Sequence, residues 1–466
     1  METIAEVFAK QQASRVRLAA EPAKARMARI RRILEWTEAH AGEVRQACWD
    51  DFKKPAAEVD LSELYAVYGE ARHALKHLEG WMKPKGVWPT LAMATTRSRL
   101  HYEPKGVVLI ISPWNYPFNL TLCPLISAIA AGNAAMLKPS EMTPHVSALL
   151  ARMLGELFPS DEVALFEGDV KVAQELLALP FDHIFFTGSP KIGKAVMKAA
   201  AENLSGVTLE LGGKSPVVID ESAHLEDAAA KVVWGKFLNC GQTCIAPDYV
   251  MVHQSRKDEF VAAAKAQIEK FYGSQPAERK ASKDYARIVN LGHFGRLERM
   301  FAASVAAGAK VAAGGAFDAA DRFIDPTLLV DPPADSPVMQ EEVFGPLLPI
   351  VSYTRLDEAL AEIRRGPKPL ALYVFGDRKA ANKVIAETSS GGACVNDVAL
   401  HFLHLNLPFG GVGNSGLGNS HGFYGFKAFS HEKAVLRHNR FSLLKKMAPP
   451  YTGTARRLID LTLKYF

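Results

Sequence analysis

From residue 106 onward the sequence alternates short apolar runs with helical stretches, and that rhythm leaves few folds open. The runs "GVVLII", "AAMLK", "EVALF", "HIFFT" and "VTLE" form a first set. After residue 213 a second set follows: "PVVI", "DYVMV", "LLPIV", "LALYVF" and "GACVN". Such runs, bounded by turn residues, read as strands, and the helical stretches supply the crossovers that parallel strands need. The alternation predicts an α/β protein of two doubly wound parallel-sheet domains, with "LELGGKSP" as a glycine-rich hinge and a cleft between them. Residues from about 20 to 82 carry helical periodicity and form a helical opening. Two segments, "WPTLAMATTRSRLHYEP" and "PFGGVGNSGLGNSHG", fit neither sheet and read as parts of an arm or as cleft-lining loops.

The stretch "HIFFTGSPKIGKAV" runs from a β-branched and aromatic strand through a glycine turn into a helix. Gly188, Gly193 and Lys194 match all but the last position of the P-loop pattern, where Ala195 replaces the hydroxyl that would hold Mg²⁺. Ser189 and Pro190 follow Gly188 where a dinucleotide fingerprint wants a second glycine. What remains is a helix N-terminus after a strand, a place that favours an anion, or else an ordinary strand-turn-helix junction.

At 466 residues the chain has room for about three domains. Its 48% hydrophobic and 23% charged residues are globular values, and the net charge of +5 is spread thinly, with no basic block to grip nucleic acid. Lys24, Arg26, Arg29, Arg31 and Arg32, interleaved with apolar residues, read as the solvated face of an amphipathic helix. Five cysteines do not make a disulfide framework, and a reducing, cytoplasmic setting is expected. The N-terminus lacks the pattern of a signal peptide, and no apolar run approaches the roughly 18 residues of a membrane span. The tail "ARRLIDLTLKYF" is amphipathic and suits docking on the protein or on a partner subunit.

Three residues stand out as candidates for chemistry. Cys244, in "NCGQTCIAPDY", precedes a strand among small or polar neighbours; Gly241 and Thr243 leave the sulfur approachable. A free cysteine is most often a small buried hydrophobe, which is the reading for Cys240, since C-x-x-x-C without nearby histidines is poor zinc spacing and predicts no metal site. Glu210 closes the strand "VTLE" beside a glycine turn, where a carboxylate faces the crevice in which α/β proteins bind ligands; the alternative is a strand-end acid paired with Lys214. Asn115, in "SPWNYPF", lies on a loop stiffened by Pro113 and Pro117 and can offer an amide to a developing oxyanion, or simply bond its own turn.

The motifs "PWNYP", "KPSE", "FTGS", "LELGGK", "GQTC", "EEVFGP" and "LPFGGVGNSG" occur in the order and approximate spacing of one family, and over nearly its whole length the chain resembles an NAD(P)-dependent aldehyde dehydrogenase. The short N-terminal portion, the run-on "APDY" and an extension containing "PPY" look like the class 3 group. The resemblance implies that Cys244 is the nucleophile, Glu210 the general base and Asn115 an oxyanion donor alongside the Cys244 amide. It implies Lys138 and Glu141 at the adenosine ribose, Gly188, Ser189 and Gly193 at the helix receiving the pyrophosphate, Leu211 at the cofactor, and Glu342 with Phe344 at the nicotinamide end. Implied too are a Rossmann-like dinucleotide-binding domain over 1–82 and 104–212 and a catalytic domain over 213–395. A small oligomerisation arm with bridging elements would take 83–103 and 396–440, and 441–466 would be a C-terminal extension. A homodimer is expected.

The chemistry so implied is oxidation of an aldehyde to the acid through a cysteine thiohemiacetal and a thioester that water hydrolyses; the alternative is transfer of the acyl group to coenzyme A. Glu141 should repel a 2′-phosphate and Lys138 neutralise it, so NAD is the expected cofactor, with NADP accepted. Tyr116, Leu120, Trp234, Thr243 and Phe402 are expected to line a pocket for medium-chain aliphatic or aromatic aldehydes, although core packing explains aromatic residues equally well.

Overall fold

The computed structural model describes residues 2–90, 93, 95–438 and 443–465. Of the expected arm, residues 91, 92, 94, 439 and 440 lie outside the described residues, as do 441, 442 and 466 of the C-terminal extension.

The helical opening begins earlier than residue 20. Helix α1 (Ile4–Ala20) starts at a capping box in which Thr3 and Glu6 satisfy each other's backbone N–H groups. Its Ile4, Val7, Phe8 and Leu18 are buried in the core beneath the first sheet. Helices α2 (Ala23–Ala39), α3 (Ala41–Phe52) and α4 (Tyr65–Met82) follow, and after them α5 (Asn119–Ala131). The basic cluster of α2 is not wholly solvated. Arg26 is buried and donates to the carbonyls of Ala130 at 3.1 Å and Ala131 at 2.6 Å. A guanidinium there satisfies the orphan carbonyls at the end of α5 and complements its dipole, which outweighs the exposure expected of a basic face.

The first sheet contains β1 (Val107–Ile111), β2 (Ala134–Lys138), β3 (Val163–Leu165), β4 (His183–Gly188) and β5 (Gly206–Leu211), all parallel, in the order β5-β4-β1-β2-β3. Strand β1 shows why its sequence is apolar throughout. Val108 and Ile110 enter the core shared with α2, α4 and α5, while Val107, Leu109 and Ile111 enter the core on the opposite face.

The second sheet holds β6 (Pro216–Ile219), β7 (Tyr249–His253), β8 (Lys310–Ala313), β9 (Thr327–Val330), β10 (Leu347–Tyr353), β11 (Ala371–Phe375) and β12 (Gly392–Val395). Their order is β8-β9-β10-β7-β6-β11-β12, parallel except for β8. Strands β8 and β9 are absent from the predicted set. "KVAA" of β8 is a half-exposed edge strand with an irregular register, and its alanines carry little β signal.

A separate antiparallel sheet joins Lys85–Val87, Thr96–Pro104 and Ser430–His438, so the segment before the first strand does stand apart. The late glycine-rich segment does not stay wholly outside the sheets. Gly416–Leu417, here β13, pairs antiparallel with Leu209 and Glu210 and becomes the edge of the first sheet. Glycine permits this: a side chain on Gly416, at φ +155°, would collide with the Leu209 carbonyl. Among the described residues no helix is long and apolar enough to cross a membrane.

Candidate active site

In the first sheet the chain proceeds from β1 outward through β2 and β3, then returns to the other side of β1 with β4 and β5. The carboxyl ends of β1 and β4 therefore flank a topological switch point, where no loop crosses and a crevice opens. The segment after β1 carries Pro113, Trp114 and Asn115, and β4 ends in Gly188 before Ser189. All five line one cavity of about 220 Å³, together with Glu210, Leu211, Gly212, Cys244, His293, Arg296, Glu342 and Phe344.

Cys244 reaches this crevice from a turn with an unusual backbone. Helix α7 (Leu225–Phe237) gives way to Asn239, Cys240 and Gly241, all at positive φ (53°, 54° and 72°). Side-chain amides hold the turn. Asn239 Nδ2 donates to the Asn115 carbonyl at 2.9 Å, Gln242 Nε2 donates to the Arg287 carbonyl at 2.9 Å, and Gln242 Oε1 accepts from the Val289 N–H at 2.9 Å. Non-glycine residues in the left-handed region, here Asn239 and Cys240, cost about 1–3 kcal/mol each and persist only where surroundings over-determine them, as this buried network does. Cys240 is fully buried and donates to the Tyr285 hydroxyl at 3.3 Å, so it packs, as expected.

The Cys244 thiol is pushed up to about 12, first by burial and then by the carboxylates of Glu210 and Glu342. Its own N–H and that of Ile245 oppose the shift by favouring the anion. Asn115 is buried and does not bond its own turn: its Nδ2 donates to the Gln242 carbonyl at 3.0 Å. An amide nitrogen carries two hydrogens, so one remains for a ligand.

Glu210 is pinned in β5 between Thr187 on β4 and Gly416 on β13. It does not pair with Lys214, whose ammonium turns instead to Asp248 and to the carbonyls of Val338 and Glu341. Burial raises the Glu210 carboxyl to about 7, and the Ser420 hydroxyl bonded to it acts in the opposite sense. Glu210 is thus poised to gain and lose a proton near neutrality.

A second cavity, about 340 Å³, opens on the other side of the same two groups. Cys244, Glu210, Thr187 and Leu211 belong to both cavities, so sulfur and carboxyl stand at their junction. Tyr116, Leu120, Trp234, Thr243 and Phe402 all line this second cavity, with Leu61, Tyr65, Leu400 and Leu403 also on its wall. The Tyr116 hydroxyl is 2.6 Å from Thr243 Oγ1, and its ring lies 3.8 Å beneath the buried Lys54 ammonium, which is itself paired with Glu63 at 3.0 Å. Fixing Tyr116 in this way keeps one wall of the cavity rigid.

The first cavity fits the nicotinamide end of a dinucleotide. The Gly212 α-carbon lies against the Glu342 carboxylate so closely that a Cβ there would collide with it. The Glu342 carboxyl, raised to about 7 by burial and then by Asp248, accepts from the Gly213 N–H and still faces the cavity. Phe344 stands edge-on to Trp114 with ring centres 5.4 Å apart, and buried His293 Nδ1 has no partner among the described residues. Ser189 caps helix α6 (Pro190–Glu202), its Oγ accepting from the Ile192 N–H at 3.4 Å. Gly193 is a packing residue: a Cβ there would approach Leu211 Cδ2 to 2.7 Å. Lys138, the last residue of β2, pairs with Glu141 at 2.6 Å, and the two line neither cavity. Trp114, His293 and Arg296 were not among the expected cofactor residues; Trp114 sits inside a quoted motif, whereas the other two lie on a helix with no local signature.

The aldehyde dehydrogenase family model matches residues 2–435. Among curated proteins the chain is 43% identical to 4,4′-diaponeurosporen-aldehyde dehydrogenase of Staphylococcus aureus, over 92% of this chain and 92% of that one. It is 46% identical to the dimeric NADP-preferring aldehyde dehydrogenase of Mus musculus, over 82% and 85% of the two chains. Among solved structures, the substrate-bound state of Staphylococcus aureus AldH superposes with a TM-score of 0.93 at 40% identity, covering 99% of this chain and 100% of that one.

Proposed function

The chain belongs to the aldehyde dehydrogenase family, and from that premise we propose how its site works and what it takes. It is an NAD(P)-dependent oxidoreductase that converts aldehydes to carboxylic acids. The observation that carries the finer reading is the junction: one sulfur and one carboxyl shared by an apolar cavity and a second cavity whose wall adds Asn115, His293, Arg296 and Glu342.

The aldehyde enters through the apolar cavity and presents its carbonyl carbon to Cys244. Cys244 attacks as the thiolate, its proton passing to solvent in the cavity and the anion favoured by its own N–H and that of Ile245, which leaves the Glu210 carboxylate free for the second half of the reaction. As the carbonyl oxygen becomes an alkoxide, the Asn115 amide and the Cys244 N–H stabilise it, an arrangement in which a single donor is worth about 3 to 4 kcal/mol. Glu342, Phe344 and Trp114 would hold the nicotinamide, which would supply a hydride acceptor there; with the hydride gone from its carbon, the thiohemiacetal on Cys244 is a thioester. Glu210 then takes a proton from water as its oxygen adds to the thioester, and the acid departs. A dedicated buried base at the thioester favours water over coenzyme A as acyl acceptor.

The substrates proposed are medium-chain aliphatic and aromatic aldehydes, because the cavity is long on apolar wall and short on polar groups. NAD is proposed as the preferred cofactor, with NADP accepted. Lys138 is already neutralised by Glu141 and has little charge left to offer a 2′-phosphate. A panel of aldehydes run with each cofactor checks both points. kcat/KM should rise by at least about tenfold from acetaldehyde to a medium-chain or aromatic aldehyde and be higher with NAD; a preference for small hydroxylated aldehydes would overturn the substrate assignment. We propose also that two chains assemble through the arm, where Val87, Trp88 and Leu436 are exposed. Light scattering should return twice the chain mass, and a monomer would refute the dimer.

A further inference from the structure

Behind Glu210, away from Cys244, lies a third and much smaller cavity of about 10 Å³. That volume is about enough for one water molecule. Two carboxyls line it: Glu210 on one side and Glu70, from α4, on the other. Glu70 is 2% exposed and has no cationic partner among the described residues; its carboxylate accepts from the Gly422 N–H at 2.9 and 3.1 Å and from the Ser127 hydroxyl at 3.3 Å. Ser420 lines the same cavity. Its hydroxyl bonds Glu210 Oε1 and lies 2.9 Å from His421 Nδ1.

A buried acid without a cation is costly to keep unless it has work to do. We propose that Glu70 is the proton acceptor behind Glu210, reached through the Ser420 hydroxyl and a single water in this cavity. The inference rests on the hydrolytic reading given above. In the step proposed, the attacking water loses a proton to Glu210 as its oxygen bonds to the thioester carbon. The Glu210 O–H then breaks as Ser420 Oγ gains that proton and releases its own to the cavity water, which protonates Glu70. No electrons move between groups, and Glu210 is again a carboxylate. From Glu70 the proton leaves past His73, one turn along α4, whose half-buried ring lies against Gly422.

Burial raises the Glu70 carboxyl to about 7, matching Glu210, so the transfer is nearly level in energy. The other titratable groups facing the cavity stay neutral: the Cys123 thiol is pushed well above its ordinary value by burial and then by Glu70, and burial followed by His401 lowers the His421 imidazole to about 4. Among the described residues no lysine or arginine lines the cavity.

The test compares wild type with Glu70→Gln, Glu70→Asp, Ser420→Ala and the Glu70→Gln/Ser420→Ala double variant by stopped flow and steady state. In Glu70→Gln and Ser420→Ala the first equivalent of NADH should form within about twofold of the wild-type rate, while later turnovers slow at least about tenfold. The double variant should be no slower than either single one. Hydroxylamine, which opens a thioester without this relay, should restore turnover, and Glu70→Asp should keep most of it. Wild-type turnover with an unchanged pH profile in Glu70→Gln would overturn the relay, as would additive losses in the double variant. Equal loss of the first and later turnovers in both Glu70→Gln and Glu70→Asp would do so too, by showing a structural role. If Glu210→Gln accumulates no acyl group on Cys244, the thioester reading itself fails, which the variants at residue 70 cannot mimic.

Discussion

Replacing Cys244 with alanine is expected to lower kcat/KM by at least about a thousandfold, a loss of roughly 4 kcal/mol of transition-state stabilisation. The reasoning is chemical rather than structural. The sulfur lines two cavities and is only partly packed, so its removal leaves no sealed void, and the melting temperature should stay within a few degrees of wild type. The turn that presents it is held by Asn239 and Gln242, neither of which bonds the sulfur. Cofactor affinity, measured by fluorescence quenching, should change less than about threefold. A variant that keeps more than a tenth of the wild-type rate would remove Cys244 from the mechanism.

Glu210→Gln is expected to separate the two halves of the reaction and at the same time to stabilise the fold. The amide keeps the size of the side chain and can still accept from Ser420, but it cannot take a proton from water. Turnover should fall by about a hundredfold or more, with the acyl group accumulating on the enzyme. The stability effect follows from linkage. The carboxyl rises from its ordinary value near 4.5 to about 7 in the fold, so between these values the folded chain binds more protons than the unfolded one. Stability is therefore lost as pH rises through that window, by as much as about 3 kcal/mol above pH 7. Glutamine removes this penalty: the variant should melt higher than wild type at pH 8 and show no advantage at pH 4.5. In wild type the same group predicts that kcat falls as pH drops below about 7. A variant less stable than wild type at pH 8 would show that the buried charge is better compensated than its surroundings indicate.

Much of this was legible in the sequence, and the reasons for the gaps are particular. Ten apolar runs were readable as strands because parallel strands covered on both faces must be apolar throughout, as β1 shows with alternate residues in two different cores. Cys244, Glu210 and Asn115 could each be marked as a candidate, since each stands at a strand end or before a strand beside glycine or proline; the structure brings all three to one crevice. The less regular pieces were not legible. Strand β8 is too short and too rich in alanine, and β13 is two residues of a glycine loop that pair only because glycine admits the Leu209 carbonyl. Helix α1 carries its start signal in Thr3 and Glu6, ahead of the stretch whose periodicity predicts a helix. Arg26 looked solvated because nothing near it in sequence reveals the carbonyls of residues 130 and 131. Glu70, Glu210 and Ser420 are 140 and 210 residues apart along the chain and share no motif, so only the folded molecule shows them around one cavity.

The central claim is that carbon is held by one sulfur during turnover. Enzyme mixed with a medium-chain aldehyde and NAD, quenched in acid within the first turnovers and digested, should yield a peptide containing Cys244 heavier by the acyl group, most abundantly in Glu210→Gln. An acyl group found on a different side chain, or an unmodified peptide in an enzyme that is forming NADH, would contradict the account.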